Sequence, residues 1–113
     1  MKVTVFKEEC QIAIHEYKPE EVQNMLKENK DVKIIDVRED DEVAQGMIPQ
    51  AKHIPLGEIP EAAKDLDKDQ EYIMVCRSGG RSMNAAQYLD QQGCKVRNLE
   101  GGMMNWDGET QPK

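Results

Sequence analysis

The run Tyr72-Ile73-Met74-Val75-Cys76 does most to restrict how this chain can fold. It has no polar face, and a strand of that kind is stable only when both of its faces are covered. The run stops abruptly at Arg77-Ser78-Gly79-Gly80-Arg81-Ser82, and an amphipathic segment reaching Gln92 begins within that stretch. Strand, tight loop, helix is the unit from which parallel α/β sheets are wound, and such sheets bind ligands at the carboxyl ends of their strands.

The remainder of the chain repeats the pattern. Ile12-Ala13-Ile14 reads as a brief first strand, and Pro19 suits the first turn of a helix whose stripe is Val22, Met25 and Leu26. The β-branched run Val32–Val37 predicts a strand that stops at the charged cluster Arg38–Glu42, from which a short helix runs to Ala44 and ends at Gly46. Ala51–Ile54 predicts a third strand closed by Pro55, and Leu56–Leu66 a helix that Pro60 splits or delays. After Tyr72–Cys76 the spacing predicts a helix over Arg81–Gln92, with Ala85, Ala86 and Leu89 inward and Gly93 as its cap. Lys95–Leu99 is the last strand; Met103, Met104 and Trp106 pack back after Gly101-Gly102, and polar Gly108–Lys113 reads as a frayed end. No repeat or linker divides the chain, so residues 1–113 read as one domain with an ordered core of about 10–107.

Fifteen Lys and Arg against 22 Asp and Glu give a formal charge of −7, the wrong sign for nucleic acid or an anionic membrane. An anionic substrate would need local positive charge, which Arg77 and Arg81 supply. Three cysteines, no leader-like N-terminal segment and no apolar run of membrane-spanning length read as a reducing, cytoplasmic setting with free thiols. No Cys-x-x-Cys pair or short Cys/His ligand motif occurs, so no metal site is expected.

The loop after Cys76 is where chemistry is concentrated. Gly79 and Gly80 can both take positive φ and turn consecutive N–H groups toward one point at a helix N-terminus. A thiolate there is favoured by amides, helix dipole and arginines. A cysteine ending an apolar strand can equally be a packed structural thiol, and Ser-Gly-Gly an ordinary turn. The flanking arginines tilt the reading, because a structural turn needs neither.

This loop and its surroundings resemble the rhodanese-like sulfurtransferases. Ile34-Ile35-Asp36-Val37-Arg38-Glu39 is similar to the family's first signature, and Gly46–Leu56 to its second. Cys76–Ser82 is similar to the active loop of small single-domain members, and Leu99-Glu100-Gly101-Gly102 with Trp106 to the closing motif. Met47 and Gln50 depart from it, standing where histidine and glycine are common. The resemblance implies a three-layer α/β fold with a central, mostly parallel five-stranded sheet and helices on both faces. It also implies transfer of a sulfane sulfur from thiosulfate or a persulfide to cyanide or a thiol through a persulfide on Cys76, with neither metal nor organic cofactor. Four residues separate Cys76 from Arg81. The related phosphatases and arsenate reductases place five before the arginine, which leaves that activity the minor reading. A low-turnover carrier or partner-binding module is the other alternative.

In this reading Cys76 is the nucleophile, and Arg77, Ser78, Gly79, Gly80, Arg81 and Ser82 form the loop that holds the transferred sulfur. Arg81 pairs with a carboxylate or braces the loop, while Arg77 meets the anionic donor or is a solvated charge. Ser78 donates to the persulfide or merely turns the chain; Ser82 helps cap the next helix. Asp36 and Arg38 support the neighbouring loop. Cys94 reads as a packed apolar residue, Cys10 as a thiol with nothing to activate it, His53 as a strand residue and Glu39–Glu42 as a solvated helix start. A sulfur-relay protein is a conceivable partner, and the chain reads as a monomer.

Overall fold

The computed structural model describes residues 14–28 and 31–113. Its strands are β1 (Glu16–Tyr17), β2 (Lys33–Asp36), β3 (Ala51–His53), β4 (Glu71–Val75) and β5 (Lys95–Leu99). They form one five-stranded sheet in the order β1-β5-β4-β2-β3. Every neighbouring pair in it is parallel. The helices are α1 (Pro19–Lys27), α2 (Asp40–Val43), α3 (Ile59–Ala62) and α4 (Gly80–Gln91). Short 3₁₀ turns flank α3 at Leu56–Glu58 and Ala63–Asp65, and another covers Gly102–Asn105. The segment around Pro60 is therefore in pieces, as the proline requires.

Strand alternation divides the core into two layers. Ile35, Tyr72, Met74, Cys76 and Val96 face α3 and α4 and pack with Ile59, Ala63, Ala85, Ala86 and Leu89. Ile34, Ile73, Val75 and Leu99 face the other way, against Val22 and Ile48, with Met25, Leu26, Met103 and Trp106 partly buried around them. This gives the expected three layers. Strand β4 lies between β5 and β2, so its apolar run is covered on both faces and flanked on both edges.

The first strand lies later than the apolar trio suggested. Ile12 and Ala13 fall outside the described residues, as does Cys10, and Ile14 is a half-buried packing residue rather than a strand residue. Strand β1 sits at an edge and pairs only with β5, through Asn98 N–H to the His15 carbonyl and Glu100 N–H to that of Tyr17. An edge strand of this length needs few apolar side chains. Tyr17 alone contributes to the core, and its hydroxyl donates to Glu71 at 3.0 Å.

The end of the chain is another correction. Gly108–Lys113 is not frayed: Met47 and Gln111 exchange backbone hydrogen bonds of 2.8 Å each way, and Lys113 N–H reaches the Val43 carbonyl at 3.2 Å. The backbone pairing of Met47 supplies what polar composition hid.

Leu89 is fully buried between α4 and the sheet. Leu89→Ala is expected to lower the unfolding free energy by about 2–5 kcal/mol in urea denaturation, because it leaves a cavity as well as losing transfer energy.

Candidate active site

Strand β4 delivers Cys76 to the carboxyl edge of the sheet, and Gly79 reverses the chain into α4. Gly79 has φ +106° and stands at the N-cap, so its N–H turns back onto Cys76 Sγ at 3.0 Å. Gly80 does not share this task. It is the first residue of α4, has no positive φ, and a Cβ there would meet nothing within 4 Å. Only one of the two glycines expected in the left-handed region is there. Ser82, fully buried on the first turn of α4, places its hydroxyl 3.3 Å from Sγ.

Cys76 is only 1 % exposed. Burial is the largest single influence on its thiol and pushes the pKa up. The Ser82 hydroxyl, then the backbone N–H groups of Ser82, Gly79 and Ser78, oppose it and together prevail, so the pKa falls below that of an ordinary cysteine. The thiol is buried, but among donors aimed at it. Cys94 shows the contrast: it is buried too, and desolvation raises its pKa with only the charge of Lys68 in opposition.

The far side of the loop is clamped by the turn after β5. Met103 N–H donates to the Cys76 carbonyl at 2.8 Å and Met104 N–H to that of Arg77 at 2.9 Å. Gly102 allows this approach. A Cβ there would lie 2.4 Å from the Cys76 carbonyl oxygen, and its φ is +61°. Of the residues expected to pack here, Met103 does so but Met104 is 67 % exposed, and what both supply is a backbone clamp that the sequence pattern does not reveal.

Arg81 and Glu42 form a bidentate pair, 2.8 Å in both contacts, that ties α4 to α2. Hydrogen bonding to Arg81 is the main reason the Glu42 pKa falls to about 2, against partial burial. The same pair raises the pKa of Arg81 further. The cluster read as a solvated helix start thus contains the carboxylate that anchors the loop, and nothing in its spacing pointed to Arg81. Asp36, fully buried at the end of β2, receives Arg38 Nη2 at 2.9 Å, and the same nitrogen donates to the Gly46 carbonyl at 2.8 Å. The pair therefore holds the Gly46 turn, which lines the same cavity as Arg77. His53 is the strand residue expected; its Nε2 donates to the Arg38 carbonyl at 2.7 Å.

Arg77 and Ser78 are exposed. Arg77 borders a cavity of about 490 Å³ together with Arg38, Glu42, Gly46, Met103 and Thr110. Thr110 belongs to the end segment that Met47 holds, which makes that segment part of the cavity wall. Asn98 was not anticipated. It is fully buried on β5, on the face shared with Val96, and its side chain joins Ser82 to Glu16. The available signal was an amide on the apolar face of a strand, where a polar group must find partners. Among the described residues no group of three or more His, Cys, Asp or Glu side chains is arranged to hold a metal ion. Nor is any helix there long and apolar enough to cross a membrane.

A thiol whose pKa is lowered by backbone amides at a strand tip and helix N-terminus has the setting in which a cysteine can serve as a nucleophile. Residues 18–109 match the rhodanese-like domain family, and the chain belongs to it. It is 60 % identical over 88 residues to YtwF of Bacillus subtilis (strain 168), covering 78 % of this chain and 85 % of that one. It is 40 % identical over 94 residues to a protein of Allochromatium vinosum named sulfurtransferase, covering 82 % of this chain and 88 % of that one. Among solved structures, a rhodanese-like domain protein from Staphylococcus aureus superposes with a TM-score of 0.83 at 40 % identity, over 88 % of this chain and 99 % of that chain.

The glycines and the ion pair give two tests. Gly79→Ala forces a side chain into positive φ and is expected to cost about 1–2 kcal/mol, whereas Gly80→Ala is expected to add about 0.4–1 kcal/mol, both read by denaturation. Glu42 has a depressed folded pKa, so its contribution is present above the unfolded carboxylate value and lost as pH falls toward 2. Glu42→Gln is therefore expected to cost about 1 kcal/mol at neutral pH, allowing for solvent screening, and the gap to the parent protein should close between roughly pH 5 and pH 2.

Proposed function

We propose that this protein is a sulfurtransferase in which Cys76 carries the moving sulfur. The observation that carries the reading is the convergence of the Gly79 N–H and the Ser82 hydroxyl on Cys76 Sγ, at 3.0 and 3.3 Å, where they favour a buried thiolate. The thiolate attacks the outer sulfur of thiosulfate; the S–S bond breaks, sulfite leaves with the bonding pair, and Cys76 holds a persulfide. A thiolate acceptor, or cyanide in an assay, then attacks the terminal sulfur, and Cys76 departs as thiolate. Charge balances in each step, and no external oxidant or reductant enters.

Each loop residue has a part in this scheme. The backbone N–H groups of Arg77–Ser82 cradle the charge on the terminal sulfur, a fixed set of dipoles that needs no rearrangement during reaction. Arg77, exposed beside the cavity, draws in the donor anion against the overall negative charge. Arg81 keeps the loop closed through Glu42 and leaves substrate contact to Arg77. Asp36 and Arg38 hold the opposite wall. The partners are thus a small sulfur anion and a thiol acceptor, the latter free or on a relay protein, and residues 1–113 act as one domain.

Incubation with thiosulfate followed by intact-mass spectrometry is expected to add one sulfur atom per chain, removable by cyanide and absent in Cys76→Ser. Retention of the added sulfur in Cys76→Ser, or no addition with thiosulfate and with small persulfides alike, would refute the scheme. Loading without turnover to any small acceptor would identify a carrier instead.

A further inference from the structure

The Ser82 hydroxyl has one proton and three acceptors around it. Asn98 Oδ1 lies at 2.5 Å, and Cys76 Sγ and the Gly79 carbonyl each at 3.3 Å. The orientation of the Asn98 amide follows from its other neighbours. Its nitrogen faces Glu16 Oε2 at 2.9 Å and the Gly79 carbonyl at 3.3 Å, and both of these only accept. Turning the amide over would set oxygen against oxygen twice, so Oδ1 must point at Ser82. Oδ1 cannot donate, so the short contact requires the Ser82 proton to lie toward Asn98. The lone pairs of the Ser82 oxygen then face Cys76. That suits a neutral thiol, which can donate to them, and opposes an anion.

We propose that Asn98 is a positioning residue that competes with Cys76 for the Ser82 proton. While the sulfur is protonated, the chain of donation runs from Cys76 S–H to Ser82 Oγ and on to Asn98 Oδ1. When the sulfur is anionic, as thiolate or persulfide, the hydroxyl rotates by one staggered step and donates to it, and Asn98 Oδ1 goes without that donor. Asn98 thereby withholds part of the stabilisation Ser82 can give. The sulfur anion is held less firmly than its cup would allow, which keeps it reactive. Glu16, exposed on β1, sets the device by fixing which end of the amide faces inward.

Ionic groups around this point are few. Arg81, paired with Glu42, attracts the Cys76 charge, and Arg77 follows Cys76 in the chain. Glu16 lies beyond Asn98, on the far side of Ser82. The inference rests on Cys76 being the reactive thiol, but its readout is ionisation of that thiol, so it can fail while sulfur transfer stands.

The test is the pH dependence of Cys76 alkylation by iodoacetamide, followed at that residue by peptide mass spectrometry. Ser82→Ala is expected to raise the midpoint by about one pH unit, the ordinary worth of one hydrogen bond to an anion. Asn98→Ala is expected to lower it by up to about one unit, since the hydroxyl is then free to serve sulfur. The decisive arm is the double variant: with Ser82→Ala already present, Asn98→Ala should move the midpoint no further. A purely structural Asn98 would give a raised or unchanged midpoint in the single variant, and a shift that persists without Ser82 would place its action elsewhere; both outcomes overturn the proposal. Should Asn98→Ala fail to fold, Glu16→Gln tests the same point from an exposed position. It removes the shorter of the two oxygen contacts that oppose a turned-over amide, and is expected to lower the midpoint with Ser82 present and leave it unchanged without. An equal fall in both backgrounds would be simple loss of a negative charge and would overturn it.

Discussion

A sulfur atom removed from water can carry charge only if other donors replace the water it has lost. At Cys76 the replacements are almost all backbone, from Ser78, Gly79 and Ser82, with a single side-chain hydroxyl. That requirement explains much of the surrounding structure. Gly79 stands where only glycine turns the chain without strain, and α4 begins at once, so that its unpaired amides face the strand tip. The loop must then keep its shape against thermal motion. It is held from opposite sides, by Glu42 through Arg81 and by the Gly102–Met104 backbone through the Cys76 and Arg77 carbonyls.

The layered architecture makes this arrangement affordable in stability. Strand β4 has partners on both edges and packing on both faces, which fixes the height and direction at which Cys76 emerges. The wall across from it is assembled differently. There a buried ion pair, Asp36 with Arg38, reaches the Gly46 carbonyl, and strain is avoided because the pair is satisfied by hydrogen bonds on several sides. One side of the site is therefore organised by secondary structure and the other by charge.

What could be read in advance followed that division. The apolar and β-branched runs of β2, β4 and β5 and the stripes of α1 and α4 gave their positions within a residue or so, because composition and packing periodicity are local signals. The Cys76 loop was legible for the same reason: its residues are contiguous. What escaped was non-local. No spacing rule pairs Arg81 with Glu42, nor Met47 with Gln111, nor Asn98 with Ser82 and Glu16. The edge strand β1 was misplaced because one Tyr17 ring and a short parallel pairing with β5 suffice there, and hydrophobicity is a poor guide where so little is buried.

The Gly102 contact has a consequence for the life of the chain before it is finished. The residues that clamp the cup, Gly102 to Met104, lie well beyond Cys76 in sequence, and they emerge from the ribosome long after the thiol does. Until β5 and the turn behind it dock, position 76 is an unremarkable thiol in an open polymer, with the reactivity of any other. Only when that turn docks do the Cys76 and Arg77 carbonyls gain their partners, so the surroundings that lower the thiol's pKa are complete only when the chain is.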